Sequence, residues 1–591
     1  MFSVDNVSRN QINTPDMEKI KLDPKDQNYK TKTIILFKKR GNQNKWKPIL
    51  FGKSAETKYL GLRNNEIDNY QLFKYFKMKL YQNDSLNPKI RSYSGKKWKF
   101  IKVLAMLFRF INKKFVESVK NSNNKIKVDK DKIQWVLTVP AIWEDQAKEI
   151  MRIAFYKAGL ISEKNSSHLL FCYEPEVAAL DFFQDQRNNL DELNNKKLLV
   201  VDAGGGTIDI TLMKATIENK KIKEFEVLMV PKGGDFGSIY IDQQFIEFFQ
   251  SFLNLNDNQF NQFKKNCPKG FLKLLNQWDT IKIGTQIERD LTEKKENAIE
   301  IPNIIIKYLK KKFGIKDFED LAEQFNERNQ NSVLSEIEWN EDEYSLIIKG
   351  DRIKSFFKEP IDKLKEYLNN LRQTSEILRQ TDIVFFTGGL SNCDYFRKSV
   401  EKKLGKNCQY FLSPYPDKSI VIGAVLFGFD PNIVATRRSQ FTYGILHKPI
   451  FNPQIHDPKR KETIKNSNNQ SIERCRNVIQ PFIFKGDTIK LSEPIIKKHN
   501  PLKENQKKII FKIIRCENKK WDPNYKSVYS DSPGAKIMGS VIIEIPESNL
   551  AYVQKKVEVS FHFATTEIQI FMKYLPDPRI RKKLSLNYVD N

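Results

Sequence analysis

A chain of 591 residues is too long for one ordinary hydrophobic core and predicts two or three domains, and its 40% hydrophobic and 12% aromatic content excludes a disordered chain. The formal net charge of +28 comes from lysines spread over the whole length among Asn and Ile, the bias of an AT-rich coding sequence, so charge alone predicts no specific nucleic-acid partner. Cys172, Cys267, Cys393, Cys408, Cys475 and Cys516 form no C-x-x-C pair, and His168, His447, His456, His499 and His562 have no metal-ligand spacing, which speaks against a disulfide framework and a zinc site and for a reducing, cytoplasmic setting.

Residues 1–29 are polar, lack alternation and are expected to be poorly ordered; the Met1–Asn10 stretch shows no apolar core of a signal peptide. Thr33–Phe37 and Ile49–Phe51 read as paired strands around a polar turn at Lys39–Lys47, and Ser54–Leu60 as the start of a helix. Trp98–Phe110 is the densest apolar run. Lys102 and Arg109 interrupt it, so it is too short and too charged to span a bilayer and predicts a buried amphipathic helix. Asp131–Val139 reads as a strand ending at Pro140, Glu144–Ala158 as a helix closed by Gly159, His168–Tyr173 as a strand, and Glu174-Pro175 as the opening of a further helix.

The run from Lys197 to Met213 is the most informative. Leu198–Val201 is strand-like, and Ile208, Ile210 and Leu212 alternate with Asp209, Thr211 and Met213 as a second strand does. Gly204, Gly205 and Gly206 therefore sit at a hairpin tip, where backbone N–H groups can approach an anion closely. Asp202 at the end of the first strand would repel a bare phosphate, so the pattern implies a divalent cation between carboxylate and phosphate oxygens; Thr207 adds a hydroxyl donor. No helix follows the glycines, which separates this motif from the P-loop and the dinucleotide fingerprint.

Further along, Phe225–Val230 reads as a strand, Lys232–Gly237 as a turn, and the next segment as a helix carrying Phe245, Phe248 and Phe249. Residues 255–380 read as mostly helical. Ile383–Thr387 is an apolar strand running into Gly388-Gly389, Ser391–Asp394 has the pattern of a capping box, and Ser419–Phe427 reads as a helix. Strands alternating with helices predict a parallel-containing α/β sheet covered on both faces. From about 431 the texture changes to alternating segments, Lys508–Ile514, Ser540–Ile545 and Lys556–Phe563, which predict a β-rich C-terminal domain over 431–591 after an α/β domain over 30–430.

The order Asp202-x-Gly-Gly-Gly-Thr207-x-Asp209, then Gly233-Gly234, then Ile383 to Gly389 resembles the actin, hexokinase and heat-shock ATPase superfamily. Tyr75–Leu80, Val139–Trp143, Gly423–Gly428, Arg437–Ser439 and Thr442–Gly444 are similar to the divergent 12A/12B branch of the 70-kDa heat-shock proteins. The resemblance implies a duplicated ribonuclease-H-like (actin-like) ATPase domain and ATP/ADP with Mg²⁺ as cofactors. By the same resemblance, Gly204, Gly205, Gly206 and Thr207 fall on a phosphate loop, Asp202 on the carboxylate that organises the Mg²⁺ hydration shell, and Asp209 on a supporting carboxylate. Glu174 falls on the acidic residue that places metal-bound water beside the hinge at Pro140. Gly233, Gly234, Gly388 and Gly389 fall on nucleotide-binding turns, Asp279 and Lys282 on ribose and adenine contacts, and either Lys77 or Lys79 on a phosphate-contacting lysine.

Three features depart from the family. Its first phosphate hairpin, Asp-x-Gly-Thr-Thr, is missing, and losing a preorganised donor commonly costs about 10²–10³ in rate, which argues against hydrolysis. Asn392 stands at the place of an adenine-stacking arginine. Neither the hydrophobic acidic linker nor a helical lid is recognisable. The expected function is that of an adenine-nucleotide-binding, atypical chaperone with unfolded clients or co-chaperones as partners, no membrane and no specific nucleic acid. The alternative is a pseudo-ATPase scaffold that binds partners without turnover.

Overall fold

The widest sheet is built around the glycine hairpin. In the computed structural model, which describes residues 31–585 except 42–44, 64, 81–87, 123–128, 284–296, 331, 333, 335, 375–379, 417, 466–469, 502–505, 518–528 and 564–566, together with the two-residue strands Phe2–Ser3 and Met17–Glu18, this sheet is mixed. Its spatial order is Gln409–Leu412, Ile383–Thr387, Lys197–Ala203, Ile208–Glu218, Lys221–Val227, Val434–Arg438 and Thr488–Lys490. Lys197–Ala203 lies centrally because Leu198 to Val201 are apolar on both faces and fully buried. It pairs antiparallel with Ile208–Glu218 and parallel with Ile383–Thr387. The segment expected as a turn at Lys232–Gly237 differs: Lys232–Gly234 adds a short strand against Ile208–Ile210, and the chain bends only afterwards, at Asp235 and Gly237.

Two chain segments share one plan. Trp135–Val139, the helix Asp145–Ala158, the parallel strand Leu169–Tyr173 and the helix Glu174–Asp185 form the first. Ile383–Thr387, the helix Asp394–Leu404, the parallel strand Gln409–Leu412 and the helix Ser419–Phe429 form the second. The two trailing helices touch so closely that a side chain at Gly423 would collide with the Val177 carbonyl. Among the described residues the first strand pair stands alone, whereas the second is continued by the glycine hairpin and its neighbours. The Asp131–Val139 strand is shorter than expected: Lys130–Lys132 is a 3₁₀ turn and pairing starts at Trp135. The expected capping box at Ser391–Asp394 does not form either. Ser391 Oγ donates to the Thr387 carbonyl (2.5 Å), and the helix starts at Asp394 behind Cys393 without a side-chain cap.

Before the first unit, Ile34–Arg40 pairs with both Lys45–Phe51 and Tyr70–Lys74, so the strands run further into the expected Lys39–Lys47 turn. Trp98 opens the apolar run on the short strand Lys97–Lys99, and the helix Phe100–Ser122 carries the rest into a core shared with Asp145–Ala158. Between the units, residues 255–380 hold the helices Asp257–Asn266, Pro268–Ile283, Asn303–Phe313, Phe318–Arg328 and Gly350–Thr374. They also hold a three-stranded sheet, Asn297–Glu300, Ser345–Ile348 and Glu338–Asn340, that a helical reading misses. No helix among the described residues is long and apolar enough to cross a membrane.

The C-terminal part is a sandwich of two four-stranded antiparallel sheets. One runs Val478–Ile483, Thr442–His447, Lys508–Cys516, Ala535–Glu544, and the other Ile495–His499, Val557–His562, Gln569–Tyr574, Arg581–Ser585. Ile513 and Ile543 of the first and Val559, Phe561 and Ile570 of the second are all buried in one core, the packing expected of facing sheets. Charged pairs fasten the sandwich to the first unit: Arg515 to Glu144 at 2.6 Å, and Arg152 to Glu567. Arg437, on the strand that leads into the sandwich, holds Glu176 in a buried two-pronged bond of 2.8 Å on each side.

Candidate functional site

The hairpin tip is closed by Gly204 N–H donating to the Thr207 carbonyl (2.9 Å). Directly below it, Asp202 and Asp209 are cross-strand partners, so their side chains leave the same face of the sheet. Glu174 reaches the same point from the start of its helix. Oxygens of Glu174, Asp202 and Asp209 lie within 4.8 Å of one another, and all three residues are buried.

Three buried carboxylates at this spacing repel one another. Burial first, and the Glu174 charge second, push the Asp209 carboxyl up to about 7, against the Thr207 hydroxyl, the Ile142 N–H and Lys77, which favour its anion. Ile142 N–H donates to Asp209 Oδ1 at 3.3 Å, while Oδ2 is buried with no hydrogen-bond partner among the described residues. A buried acceptor of this kind is costly unless a cation meets it, so the donor set fits a hard divalent ion. The Lys77 ammonium sits 2.6 Å from Glu174 Oε1 and 5.3 Å from the centre of the Trp143 ring. Sequence reasoning left Lys77 and Lys79 open; Lys77 is the one at the cluster.

Backbone shapes the rest of the site. The carbonyls of Gly206, Gly204 and Gly205 accept from the N–H groups of Gly237, Ser238 and Ile239, so the following helix is fastened behind the loop. Met78 lies against Gly206 so closely that any side chain there would meet its thioether. Gly388 is the position where glycine is required: its φ is +84°, and a Cβ would run into the Ala203 carbonyl and the Asp202 carboxylate. Gly389 opens the 3₁₀ turn Gly389–Asn392. Gly233 and Gly234 pair with Asp209 and Ile208 on the neighbouring strand.

Asp279 and Lys282 stand apart from this cluster, in an ion-pair network. The Lys282 ammonium bridges Asp279 (2.8 Å) and Asp242, and Asp279 in turn meets Lys32. Trp278 Nε1 donates to Asp242 at 2.9 Å. Sequence reasoning missed Asp242, Ile142 and Met78. Ile142 lies within the Val139–Trp143 string, but nothing in that string announces a backbone donor.

Comparison with known proteins identifies the family. Residues 55–350 match the Hsp70 protein family. The chain belongs to the Hsp70 family. Human heat shock 70 kDa protein 12A is 25% identical over an alignment covering 93% of this chain and 84% of that protein. Human heat shock 70 kDa protein 12B is 23% identical over 93% of this chain and 83% of its own length. Chaperone protein DnaK of Thermoplasma volcanium is 24% identical over 56% of this chain and 46% of its own length. The Hsp70 match includes the Lys77 turn, Glu174 and the glycine hairpin, the parts brought together at the carboxylate cluster.

Proposed function

We propose that this Hsp70-family chain binds an adenine nucleotide together with Mg²⁺ between the glycine hairpin and Lys77. The observation that carries the proposal is the buried trio Glu174, Asp202 and Asp209 at the foot of a three-glycine turn, with Asp209 Oδ2 lacking a hydrogen-bond partner among the described residues. When bound, Mg²⁺ supplies charge neutralisation for the phosphates. Asp202, with Glu174 and Asp209 behind it, would hold that ion, and Gly204 to Gly206 with Thr207 would cradle the phosphates. The Lys77 ammonium, now on Glu174, would be available to a phosphate oxygen. Gly388 and Gly389, whose turn packs against Ala203 and Asp202, would bring backbone rather than side chain to the nucleotide, and Asp279 with Lys282 would face its nucleoside end. In this reading the two strand–helix–strand–helix units are halves of a duplicated ribonuclease-H-like, actin-like ATPase. Closure about Pro140 and Gly423 passes nucleotide state to the β-sandwich, which acts as an atypical chaperone module on unfolded clients.

A second reading is favoured by one observation. Among the described residues a single glycine hairpin stands at the cluster, facing Lys77 rather than a second hairpin. On this reading the protein is a pseudo-ATPase scaffold that binds nucleotide, holds partners and turns over nothing. Single-turnover release of phosphate from labelled ATP separates the two. The scaffold reading predicts the same rate for wild type and Asp202→Asn; an ATPase predicts a loss of about 10²-fold or more in the variant.

A further inference from the structure

The N-terminal strands around Ile34–Arg40 are bridged to the helix Pro268–Ile283. Lys32 pairs with Asp279, the Tyr93 hydroxyl donates to the Pro268 carbonyl (3.3 Å), and Leu272 is buried with Ile34, Leu36 and Leu72 of the opposite side. Beside this bridge opens a cleft of ≈ 370 Å³, lined by Lys74, Tyr75 and Tyr93 from one side and by Ile239, Trp278 and Asp279 from the other. It is mainly apolar with a few converging polar groups, the makeup of a small-molecule site.

Tyr75 does not fit its own chain segment. Lys74 and Phe76 on either side turn inward, with Phe76 4% exposed, yet the Tyr75 side is 41% exposed and faces the cleft. Its φ is +52°, in the left-handed region that a bulky side chain occupies only under strain. Asn195, Asn219, Asn254 and Asn477 share that conformation, as do Lys220 and Tyr344; asparagine adopts it readily, whereas a tyrosine is held there against a steric penalty. The strained residue joins the strand Tyr70–Lys74 to the turn Phe76–Leu80. It thus sets two directions at once: Lys77 onto Glu174, and the Tyr75 ring into the cleft. Lys74, itself paired with Glu56, places its ammonium 5.0 Å from the centre of the Tyr75 ring and steadies it there.

We infer that Tyr75 is a specificity-determining residue whose ring packs against the nucleoside portion of the ligand, while the phosphates lie at the glycine hairpin. The inference rests on the nucleotide reading above and adds to it a flat aromatic contact for a heterocyclic base or its sugar. Such a contact accepts any ring with a π face and gives nothing to a ligand that lacks one.

The test is a calorimetric titration of the full chain with Mg-ATP and, separately, with Mg-tripolyphosphate, in wild type, Tyr75→Phe and Tyr75→Gly. Glycine takes φ +52° without strain, so the Tyr75→Gly fold persists and a melting curve verifies it. The expected result is a loss of about tenfold or more in ATP affinity for Tyr75→Gly, the scale of one base–aromatic stack, with tripolyphosphate affinity unchanged and Tyr75→Phe close to wild type. Tyr75→Gly binding ATP as tightly as wild type overturns the inference, as does an equal loss for both ligands. A wild type that binds tripolyphosphate and ATP equally tightly leaves the phosphate site standing and refutes the role of Tyr75. A wild type that binds neither refutes the nucleotide reading itself and this inference with it.

Discussion

Asp209 shows how much electrostatic work a single residue does here. With its carboxyl raised from 3.8 to about 7, the native state holds a proton that the unfolded chain releases. Between those values the native state binds more protons, so stability is greatest below about pH 4, falls as pH rises towards 7, and is flat above. Asp209→Asn removes this slope. Thermal melts in chelator are expected to give the variant a higher Tm than wild type at pH 8 and a similar one near pH 4. Parallel melting-temperature curves over that range would contradict the assignment. Asp181, also raised to about 7 by burial, tilts both proteins alike, so the difference between the curves isolates Asp209. That Asp202, Asp209 and the glycines meet at one hairpin was legible in the sequence, because an apolar strand, three glycines and an alternating strand follow one another without a break. Lys77 was legible only as one of a pair, since Lys77 and Lys79 lie in one short turn and only the fold decides which meets Glu174. Tyr75 and Met78 were not legible, because strain and close contact leave no mark on composition.

At the scale of elements, the helix Glu174–Asp185 links the site to the sandwich within its first turn. Pro175 sets its start, Glu174 faces the carboxylate cluster, and Glu176 is 1% exposed in the grip of Arg437. Removing one partner of such a pair leaves an uncompensated buried charge, a cost of about 3–5 kcal/mol. Arg437→Met is therefore expected to lower unfolding stability in denaturant by that amount, and Glu176→Gln on top of it to recover a large part. A loss below about 1 kcal/mol would show the pair to be solvated and without consequence. The helix and the hairpin were both readable from proline position and alternation. The three-stranded sheet within 255–380 was not: strands of three or four residues, such as Glu338–Asn340, are too short for a period to show. The Ser391–Asp394 capping pattern misled because Ser391 turns back to the Thr387 carbonyl, a local competitor that the pattern does not reveal.

The whole molecule joins the glycine-hairpin sheet to a β-sandwich through charged pairs and a shared core rather than through an open linker. Val434–Arg438 extends the central sheet in parallel beside Lys221–Val227, and Tyr443 and Phe482 of the sandwich belong to the same core as Leu198 and Phe385 of the hairpin sheet. The alternation after 431 announced a β-rich region, but its attachment to the central sheet depends on contacts between residues hundreds of positions apart, which no local pattern carries. The central claim is that the glycine hairpin and its three carboxylates form one Mg-nucleotide site. Calorimetric titration of Mg-ATP into the full chain, with Asp202→Ala as the matched control and chelated ATP as the second arm, tests it most directly. The account predicts saturable binding by wild type that is lost in Asp202→Ala and weakened at least tenfold without Mg²⁺. Undiminished binding in Asp202→Ala, or no binding by wild type, would contradict it.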